Sequence, residues 1–500
     1  MAIGKMHAQE HASVPTYHWS YDYAYKLALR HREAGITFDH VPLSAATMRG
    51  LAGQTQAFAS SAAEKFWLTR LNEFTAAPSE QRPWLQLGAR FRENAGKFDT
   101  KWRAYTGLRT YLGIFPDKHV SLVNAIRLDE ELRDDPTYLG KRWRGFNGYT
   151  EQAYAQLHFG KYLIKFGRDF VRWGSGADAT LLLSDESRPL DQFFARLDLN
   201  RIRLHYLAAR LNSTALPDSL VARSASGYAN RYLSALRAEL VVNPRWLTMA
   251  VTQMVLYGGP DRGFEWYYLN PFLVFHGEQL NEERKGNALV ALDLILRPRD
   301  ALRFYGQLLI DDVQVEYTRR GDLEPDQIAY LIGGEMADPL KLAGVSFGVE
   351  YTRVANRTYN TIASWEKFTH RNRPLAHFLG NDFDRWLLQG RAYAGRAVEL
   401  ALAVEFRRRG EGRIDSTYDA PWLNSEVTDS YQEKFPSGLV EHSTHWRFEA
   451  RWHPRTGFYL ALGGEHARYR DFENQAGVKK NDTRFTLNLW WEKMWWLGLD

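Results

Sequence analysis

One stretch of the sequence brings together side chains that could bind an acidic ligand. Arg168 and Arg172 are four residues apart, and Trp173 follows directly. Guanidinium groups can hold a carboxylate through paired hydrogen bonds, and an indole ring can stack on a sugar ring. These three residues are therefore candidate ligand-binding residues. In the alternative, the arginines face the interior of the fold and hold it together through ion pairs. The carboxylates considered for such pairs are Asp169, Glu278 and Asp311.

Gly174 and Gly176 follow this stretch and predict a tight turn. A phosphate loop would continue with a lysine and a serine or threonine, and would lie between a strand and a helix; the sequence has neither feature here. Ser175 lacks the preceding glycine of a hydrolase elbow, because Trp173 occupies that position. Nucleotide binding and serine hydrolysis are therefore disfavoured, and the two glycines are predicted to have a structural role.

Five further aromatic residues are candidates for stacking on the sugar rings of a glycan held by outer loops. They are Trp143, Tyr149, Trp365, Trp386 and Trp422. The basis is their type alone, because tryptophan and tyrosine offer large flat faces with a polar atom at the edge. Aromatic residues at strand ends also form the belts that mark a membrane interface. Both roles stay open for each of the five.

Two groups of polar residues are predicted to support the fold. Asn270, Pro271 and Glu278 are expected to shape a turn and a buried polar network. His377 and Asp382 could be two ligands of a metal ion, but two ligands without a third make a poor site. A structural hydrogen bond is the preferred interpretation of this pair. The sequence accordingly predicts neither a metal ion nor a cofactor.

Catalytic chemistry is not indicated. The chain has no cysteine, which excludes a disulfide scaffold, a thiolate metal site and a thiol nucleophile. The neighbouring carboxylates 311–312 and 282–283 could serve glycoside cleavage. However, adjacent residues of a strand point to opposite faces, so Asp311 and Asp312 could not act together without a bulge. We predict no catalytic residue, and a membrane-embedded carbohydrate-active enzyme remains as an alternative.

The elements that must position these residues are predicted by an alternation of apolar and polar side chains. Leu400, Leu402 and Phe406 share one face of a segment whose other face carries Glu399 and Glu405. A period of two indicates a β-strand with one side in an apolar medium. Spans of about 9–11 residues with aromatic ends are typical of membrane strands. We predict an all-β transmembrane barrel of about 16–18 antiparallel strands, with eighteen preferred. A soluble all-β sandwich is the alternative.

The N-terminal part of the chain is predicted to be helical. Ser20 could cap a first helix that Gly35 stops, and Ser44 opens a second. A third helix carries an apolar face from Ala63 to Phe74 and ends near Pro78. This small α-helical unit is expected to pack against the periplasmic end of the barrel. The predicted domains are residues 1–80 for the helical unit and 81–500 for the barrel.

The composition excludes several classes of protein. The 64 Lys and Arg residues nearly balance 59 Asp and Glu residues and form no basic block, so nucleic acid is not an expected partner. The sequence contains no run of about 18 apolar residues, so no transmembrane helix is predicted. Residues 1–20 lack the apolar core of a signal peptide. The predicted location, the outer membrane of a Gram-negative bacterium, therefore rests on the barrel pattern. Outer-membrane lipid is an expected partner, and the barrel is expected to be a monomer.

Several motifs, in their order along the chain, resemble the Wzi capsule-assembly family of outer-membrane proteins. They are GRDFVRWGSG at 167–176, LLLS at 181–184, YLNPF at 268–272, HGEQ at 276–279 and HFLGND at 377–382. His18-Trp19, leading into a tyrosine-rich helix, is also similar. The resemblance implies a large barrel with a periplasmic helical bundle and a lectin-like role in anchoring capsular polysaccharide.

We therefore expect an outer-membrane lectin-like protein that binds and anchors capsular or extracellular polysaccharide at the cell surface. Each sugar repeat would add little affinity, and many repeats together would give avidity. A porin-like channel for sugars or ions is the main alternative, because charged faces of strands also suit a water-filled lumen. An enzyme of the barrel is the second alternative.

Overall fold

The computed structural model describes residues 11–78, 83–98, 101–144, 147–222, 224–270, 272–275, 277, 285–315, 317–429 and 431–499. Within these ranges the chain forms one large antiparallel β-sheet, four α-helices and two small two-stranded sheets. The helices are α1 (Ser20–Arg30), α2 (Ala45–Gln56), α3 (Ala62–Thr75) and α4 (Asp218–Val221).

Twenty-three strands are present in the described part of the chain. In chain order they are β1 (His40–Val41), β2 (Trp84–Phe98), β3 (Lys101–Phe115), β4 (Val120–Asp129), β5 (Gly148–Phe159), β6 (Tyr162–Asp169), β7 (Arg172–Trp173), β8 (Leu190–Leu199), β9 (Ile202–Arg210), β10 (Thr214–Ala215), β11 (Tyr228–Asn243), β12 (Leu247–Pro260), β13 (Asn287–Arg299), β14 (Leu302–Asp312), β15 (Gln327–Ala337), β16 (Val345–Val354), β17 (Thr369–His370), β18 (Arg373–Pro374), β19 (Phe383–Gly395), β20 (Val398–Arg409), β21 (Glu441–Arg455), β22 (Phe458–Arg470) and β23 (Lys479–Gly498).

The large sheet closes on itself. Its strands pair with their neighbours along the chain, and β2 pairs with β23 from Trp84 opposite Gly498 to Lys97 opposite Phe485. The sheet has nineteen strands, of which β10 only extends one edge of β11 over two residues. Eighteen strands therefore form the barrel among the described residues, which confirms the preferred count. Closure pairs the backbone groups of the first and last strands, as a span through hydrocarbon requires.

The two ends of the barrel differ in the length of their connections. At one end, called the short-turn end, the connections are 116–119, 160–161, 200–201, 244–246, 300–301, 338–344, 396–397 and 456–457. At the opposite, long-loop end they include 130–147, 170–189, 211–227, 261–286, 313–326, 355–382 and 410–440. Alternating short and long connections are typical of outer-membrane barrels.

The apolar face of each strand is the exposed one. On β20, Leu402 is 65% exposed, and Leu400 and Phe406 lie on the same outward face, whereas Glu399 and Glu405 are buried in the lumen. A soluble sandwich would bury the apolar face and expose the charged one. The structure has the reverse arrangement, which a barrel with a polar interior and a hydrocarbon surround produces. The transmembrane-barrel prediction is thus confirmed, and the sandwich alternative is wrong.

We expect Leu402→Arg to destabilise the barrel in a lipid bilayer by about 2–4 kcal/mol, because Leu402 lies near the middle of β20 and faces lipid. Leu340→Arg is the matched control, since Leu340 is 93% exposed on the turn 338–344 outside the strands. Reversible denaturant unfolding in vesicles measures both. An equal effect of the two substitutions would contradict the placement of Leu402 in hydrocarbon.

Three helices form the N-terminal unit, with two differences from the sequence prediction. The Ser44 side chain caps α2 by accepting from the Thr47 amide at 3.2 Å, as predicted. Ser20 is instead the first residue of α1, and its hydroxyl meets His18 Nδ1 at 2.8 Å. The first helix also stops at Arg30, because a 3-10 turn, Arg32–Ala34, separates it from Gly35.

The helical unit fills the short-turn end of the barrel. Trp67 and Leu71 of α3 and Tyr23 of α1 form one buried cluster, which includes Trp490 from β23. Arg30 makes a two-pronged ion pair with Asp338 in the turn 338–344, with both nitrogen–oxygen distances at 2.9 Å. None of the helices in the described ranges combines the length and apolar character needed to cross a membrane.

Candidate functional site

The stretch 170–189 leaves the barrel wall and folds into the lumen. There β7 pairs with β1, so that His40 lies opposite Trp173. Trp173 is 1% exposed and belongs to an apolar cluster that includes Leu207 and Leu309 on the inner face of the wall. We call β1 and residues 170–189 together the plug. Trp173 is thus a core residue of the plug, and its indole ring presents no open face to a sugar in this structure.

Gly174 and Gly176 lie where the structure leaves no room for a side chain. Gly174 has φ +104°, and a Cβ atom there would lie 1.9 Å from Nε2 of Gln307. A Cβ at Gly176 would lie 1.8 Å from the carbonyl oxygen of Ala179. A larger residue at Gly174 would collide with Gln307 of the wall, and one at Gly176 would collide with the plug's own backbone at Ala179.

A buried arginine ties the plug to the wall. Arg237 of β11 donates to Asp39 Oδ2 at 2.8 Å, to Glu239 Oε1 at 3.1 Å and to Asp293 Oδ2 at 2.5 Å. Asp39 immediately precedes β1, whereas Glu239 and Asp293 belong to the wall. One guanidinium therefore bridges three carboxylates from two parts of the fold.

A second arginine holds the other side of the plug. Arg385 of β19 donates from Nη1 to Asp178 Oδ1 at 2.7 Å and from Nε to Glu405 Oε2 at 2.9 Å. Its Nη1 also lies 3.5 Å from Nε2 of His377. Burial and the positive charge of Arg385 lower the pKa of His377 to about 3, so this imidazole is neutral.

His377 and Asp382 do not bind each other. Nδ1 of His377 accepts from the Leu379 amide at 3.2 Å. Asp382 accepts from the amides of Ser437 and Gly412, at 2.9 and 2.8 Å, and so fastens the loop 410–440. Each residue makes hydrogen bonds to other residues, but within the described part of the chain no hydrogen bond joins the two.

The two arginines of the opening motif also have structural partners. Arg168 forms a two-pronged ion pair with Asp191, with both distances at 2.7 Å, and this carboxylate is not among those that the sequence suggested. Arg172 donates to the carbonyl of Gly176 at 2.8 Å and so closes the turn of the plug. Ligand binding by either residue stays a prediction.

The predicted aromatic residues occupy different surroundings. Trp143 is 68% exposed on the loop 130–147, and Trp386 points outward from β19 into the lipid-facing surface. Trp422 is buried, and Trp365 is half-buried with its carbonyl accepting from a wall arginine. Tyr149 alone of the five lines a cavity in the barrel mouth.

Of the residues proposed to shape a turn, Asn270 accepts from the Phe272 amide at 3.1 Å. Pro271 and Glu278 lie outside the described residues.

The cavity lined by Tyr149, which we call the mouth pocket, measures about 480 Å³ and lies at the long-loop end. Its walls come from the loops 130–147, 170–189 and 355–382 and from the inner faces of β3, β4, β5 and β23. The volume falls within the range of about 300–1,000 Å³ that is usual for small-ligand sites. Three separate loops must fold together to form it.

Arginine and tyrosine side chains are held in fixed positions in the mouth pocket. The guanidinium of Arg188 lies over the ring of Tyr149, with its carbon 4.2 Å from the ring centre. Arg373 donates to Asp135 at 2.9 Å, and Arg188 reaches the same carboxylate at 3.4 Å. On the opposite wall, the Tyr105 hydroxyl donates to Asp134 at 2.9 Å.

The carboxylates of the mouth pocket differ in their affinity for protons. Burial alone would raise the pKa of Asp135, but hydrogen bonds from Thr137 and the charges of Arg373 and Arg188 outweigh it, and the pKa lies below its ordinary value. For Glu186, burial and the nearby charge of Asp185 raise the pKa. Asp135 therefore stays ionised, and Glu186 is the first of the two to take up a proton as the pH falls.

The lining of the mouth pocket combines five arginines with six carboxylates. The charges nearly balance, so the pocket offers both donors and acceptors instead of one dominant sign. Such a lining suits a ligand with many hydroxyl groups, each of which donates and accepts. Among the lining residues, only Tyr149 was a candidate from the sequence. Arg188 and Arg373 were missed because single arginines in loops carry no pattern.

Comparison with models of protein families gives a match over most of the chain. A family model described as "Capsule assembly protein Wzi" matches residues 85–484. None of the curated protein sequences matches the chain.

The solved structures similar to this one include an outer-membrane β-barrel. Wzi of Escherichia coli, described as an outer membrane protein involved in group 1 capsule assembly and as a carbohydrate-binding β-barrel, aligns over 94% of this chain and 97% of its own, with 13% identity and a TM-score of 0.62. OprD and OccD3 of Pseudomonas aeruginosa have 9% and 12% identity and a TM-score of 0.47 each. They align over 83% and 84% of this chain and over 96% and 97% of their own. At these identities the likeness to Wzi concerns the fold alone.

Proposed function

Because the chain belongs to the family of Wzi capsule-assembly proteins, we propose that it binds capsular or extracellular polysaccharide at the surface of a Gram-negative cell and helps to hold it there. In this proposal the barrel lies as a monomer in the outer membrane. The short-turn end with its helices faces the periplasm, and the long-loop end faces outward. The long loops of outer-membrane barrels are extracellular, which supports this orientation.

The observation that carries the proposal is the mouth pocket. It opens at the end that would meet polysaccharide, and it holds arginine and tyrosine side chains in position before any ligand arrives. Arg188 has five N–H donors, and its hydrogen bond to Asp135 uses one of them. The guanidinium is fixed against Tyr149, so little side-chain freedom remains to be lost when a sugar hydroxyl accepts from it. One sugar unit would bind weakly, and a long polymer would gain from rebinding along its length.

The first test is the fraction of polysaccharide that stays attached to cells lacking this protein. We expect the polymer to be made in normal amounts and to be shed into the medium. Unchanged attachment would contradict the anchoring role. The porin-like alternative would then be examined by single-channel conductance, and the enzyme alternative by release of sugar from purified polymer.

The second test assigns binding to the mouth pocket. We expect Arg188→Gln/Arg373→Gln to weaken binding of the purified polymer at least about tenfold, because a hydrogen bond from a charged donor contributes about 1.5–3 kcal/mol and tenfold corresponds to about 1.4 kcal/mol. Surface plasmon resonance with immobilised polymer gives the affinities, and complementation of the deletion strain gives the attachment.

The matched control is Arg319→Gln/Arg320→Gln, which removes the same charge from the loop 313–326 at the same end but outside the mouth pocket. We expect its affinity and attachment to equal those of the unaltered protein. Equal losses in both double variants would mean that overall charge, and not the mouth pocket, controls binding. Heat-modifiable migration on gels checks that each variant is folded.

A further inference from the structure

Three side chains with metal-ligating atoms converge where the plug meets the wall. His205 lies on β9, Glu239 on the neighbouring strand β11, and His40 on β1 of the plug. Nδ1 of His40 and Nε2 of His205 lie 3.1 and 3.2 Å from Oε1 of Glu239. One ligand atom from each residue falls within 4.8 Å of the other two.

Four polar atoms of this cluster lack hydrogen bonds to the described residues although they are buried. Within the described ranges, neither ring nitrogen of His205 has a hydrogen-bond partner, and the same holds for Nδ1 of His40 and Oε2 of Glu239. Nδ1 of His40 and Nε2 of His205 lie at ion-pair distance from Oε1 of Glu239, so protons on the imidazoles are the alternative to a metal ion. His205 and Glu239 side chains are fully buried. Because buried polar atoms are nearly always satisfied, several such atoms facing one point indicate a missing partner.

The surrounding charges favour a cation as that partner. Arg237 is the one guanidinium that contacts Asp39, Glu239 and Asp293 together. Arg203 approaches Glu239 at 3.7 Å and Asp198 at 3.8 Å, so its charge is shared with a further carboxylate. Among these carboxylates and guanidinium groups the negative charges outnumber the positive ones, and a bound dication would offset that excess.

We propose that His40, His205 and Glu239 bind one divalent transition-metal ion of the Zn²⁺ type. Two imidazole nitrogens and a carboxylate oxygen are a set of ligands that zinc accepts, with a water or another group in the fourth position. A cavity of about 250 Å³ borders both histidines and gives room for that fourth ligand and for entry. Arg237, which donates to Oε1 of Glu239, would orient this carboxylate toward the ion.

The ion would fasten the plug to the barrel. His40 belongs to the plug, whereas His205 and Glu239 belong to the wall. Metal binding would therefore cross-link the plug to the wall at this point. The sequence predicted no metal, because the three ligands are far apart in the chain and form no motif. This inference does not depend on the proposed function, since it concerns the attachment of the plug.

The test uses the full-length protein, purified in detergent and treated with a chelator. We expect it to bind one equivalent of Zn²⁺ by elemental analysis after desalting. Co²⁺ in place of Zn²⁺ should give the intense visible absorption of a four-coordinate site. Because the metal binds only the folded state, the unfolding temperature should rise with Zn²⁺ concentration.

His205→Gln is expected to weaken Zn²⁺ binding at least tenfold and to abolish the Co²⁺ band. His442→Gln is the matched control, since His442 is a partly exposed histidine of β21 and is not a member of the cluster. If the unaltered protein binds neither ion at micromolar concentration, or if His205→Gln binds both as well as the control does, the proposal is wrong. The first of these readouts stands even if His205→Gln does not fold.

Discussion

Replacing Arg237 with methionine is expected to lower the free energy of unfolding by about 3–5 kcal/mol. Arg237, Asp39, Glu239 and Asp293 are all at most 3% exposed, so the substitution leaves three buried carboxylates without their shared cation. Removing one partner of a buried ion pair typically has a cost of this size, because the remaining charge has neither water nor a counter-charge. Denaturant unfolding in vesicles measures the change.

The same variant should also conduct ions better than the unaltered barrel. Asp39 connects the plug to the wall through Arg237, so its release loosens β1 inside the lumen. Single-channel recording in planar bilayers gives the conductance. Arg245→Met is the control: Arg245 pairs with Glu33 at 3.0 Å on the surface, where its side chain is 63% exposed, and such pairs contribute about 0–1 kcal/mol. If both variants lose equal stability and conduct alike, Arg237 does not fasten the plug.

The barrel could be predicted from the sequence because its physical constraint repeats along the chain. Every second residue of a strand faces lipid. The alternation around Leu402 and Glu405 therefore indicates which face of the strand meets lipid and which meets the lumen. The strand count followed from the number of residues left for strands and loops after the helical unit. The helix boundaries were predicted less well, because the stop of α1 at Arg30 depends on contacts with the turn 338–344 that no local pattern contains.

The partners of charged side chains could not be predicted, because they depend on the register between strands. Arg168 pairs with Asp191 because β6 and β8 align these two residues side by side. The segment 170–189 of the plug connects β6 to β8, and its length alone does not determine how these two strands align. Asp169, the nearest carboxylate in sequence, points to the other face of β6 and contacts Lys165 instead. Adjacent residues of a strand cannot share a partner on one face.

The candidate site was the least predictable part, since it is formed by loops. Trp173 had the most promising residue type in the sequence, yet it is buried because the stretch 170–189 turns inward at Gly174. Arg188, at the end of the same stretch, reaches the mouth pocket because the chain has returned to the wall there. Which of the two faces a ligand depends on the path of the loop, and an arginine or a tryptophan alone does not specify that path.

Arg385→Met is expected to lower the free energy of unfolding by about 3 kcal/mol, the lower end of the range for breaking a buried ion pair. Asp178 loses both of its bonds to Arg385 and keeps only Arg447, at 3.6 Å. Glu405 retains its contacts with Arg407 and Arg447, which limits the loss. The substitution therefore releases the plug at Asp178, whereas Arg237 holds it at Asp39.

Arg320→Met is the control, because Arg320 lies 4.0 Å from Glu426 and the two side chains are 57% and 63% exposed. We expect it to change stability by less than about 1 kcal/mol. Arg237 holds the plug at Asp39, and Arg385 holds it at Asp178. Combining their substitutions should therefore cost less than the sum of the two, because a plug released by the first substitution loses less stability from the second. Strict additivity would mean that the two arginines stabilise the wall independently and that the segment 170–189 is not held as one unit.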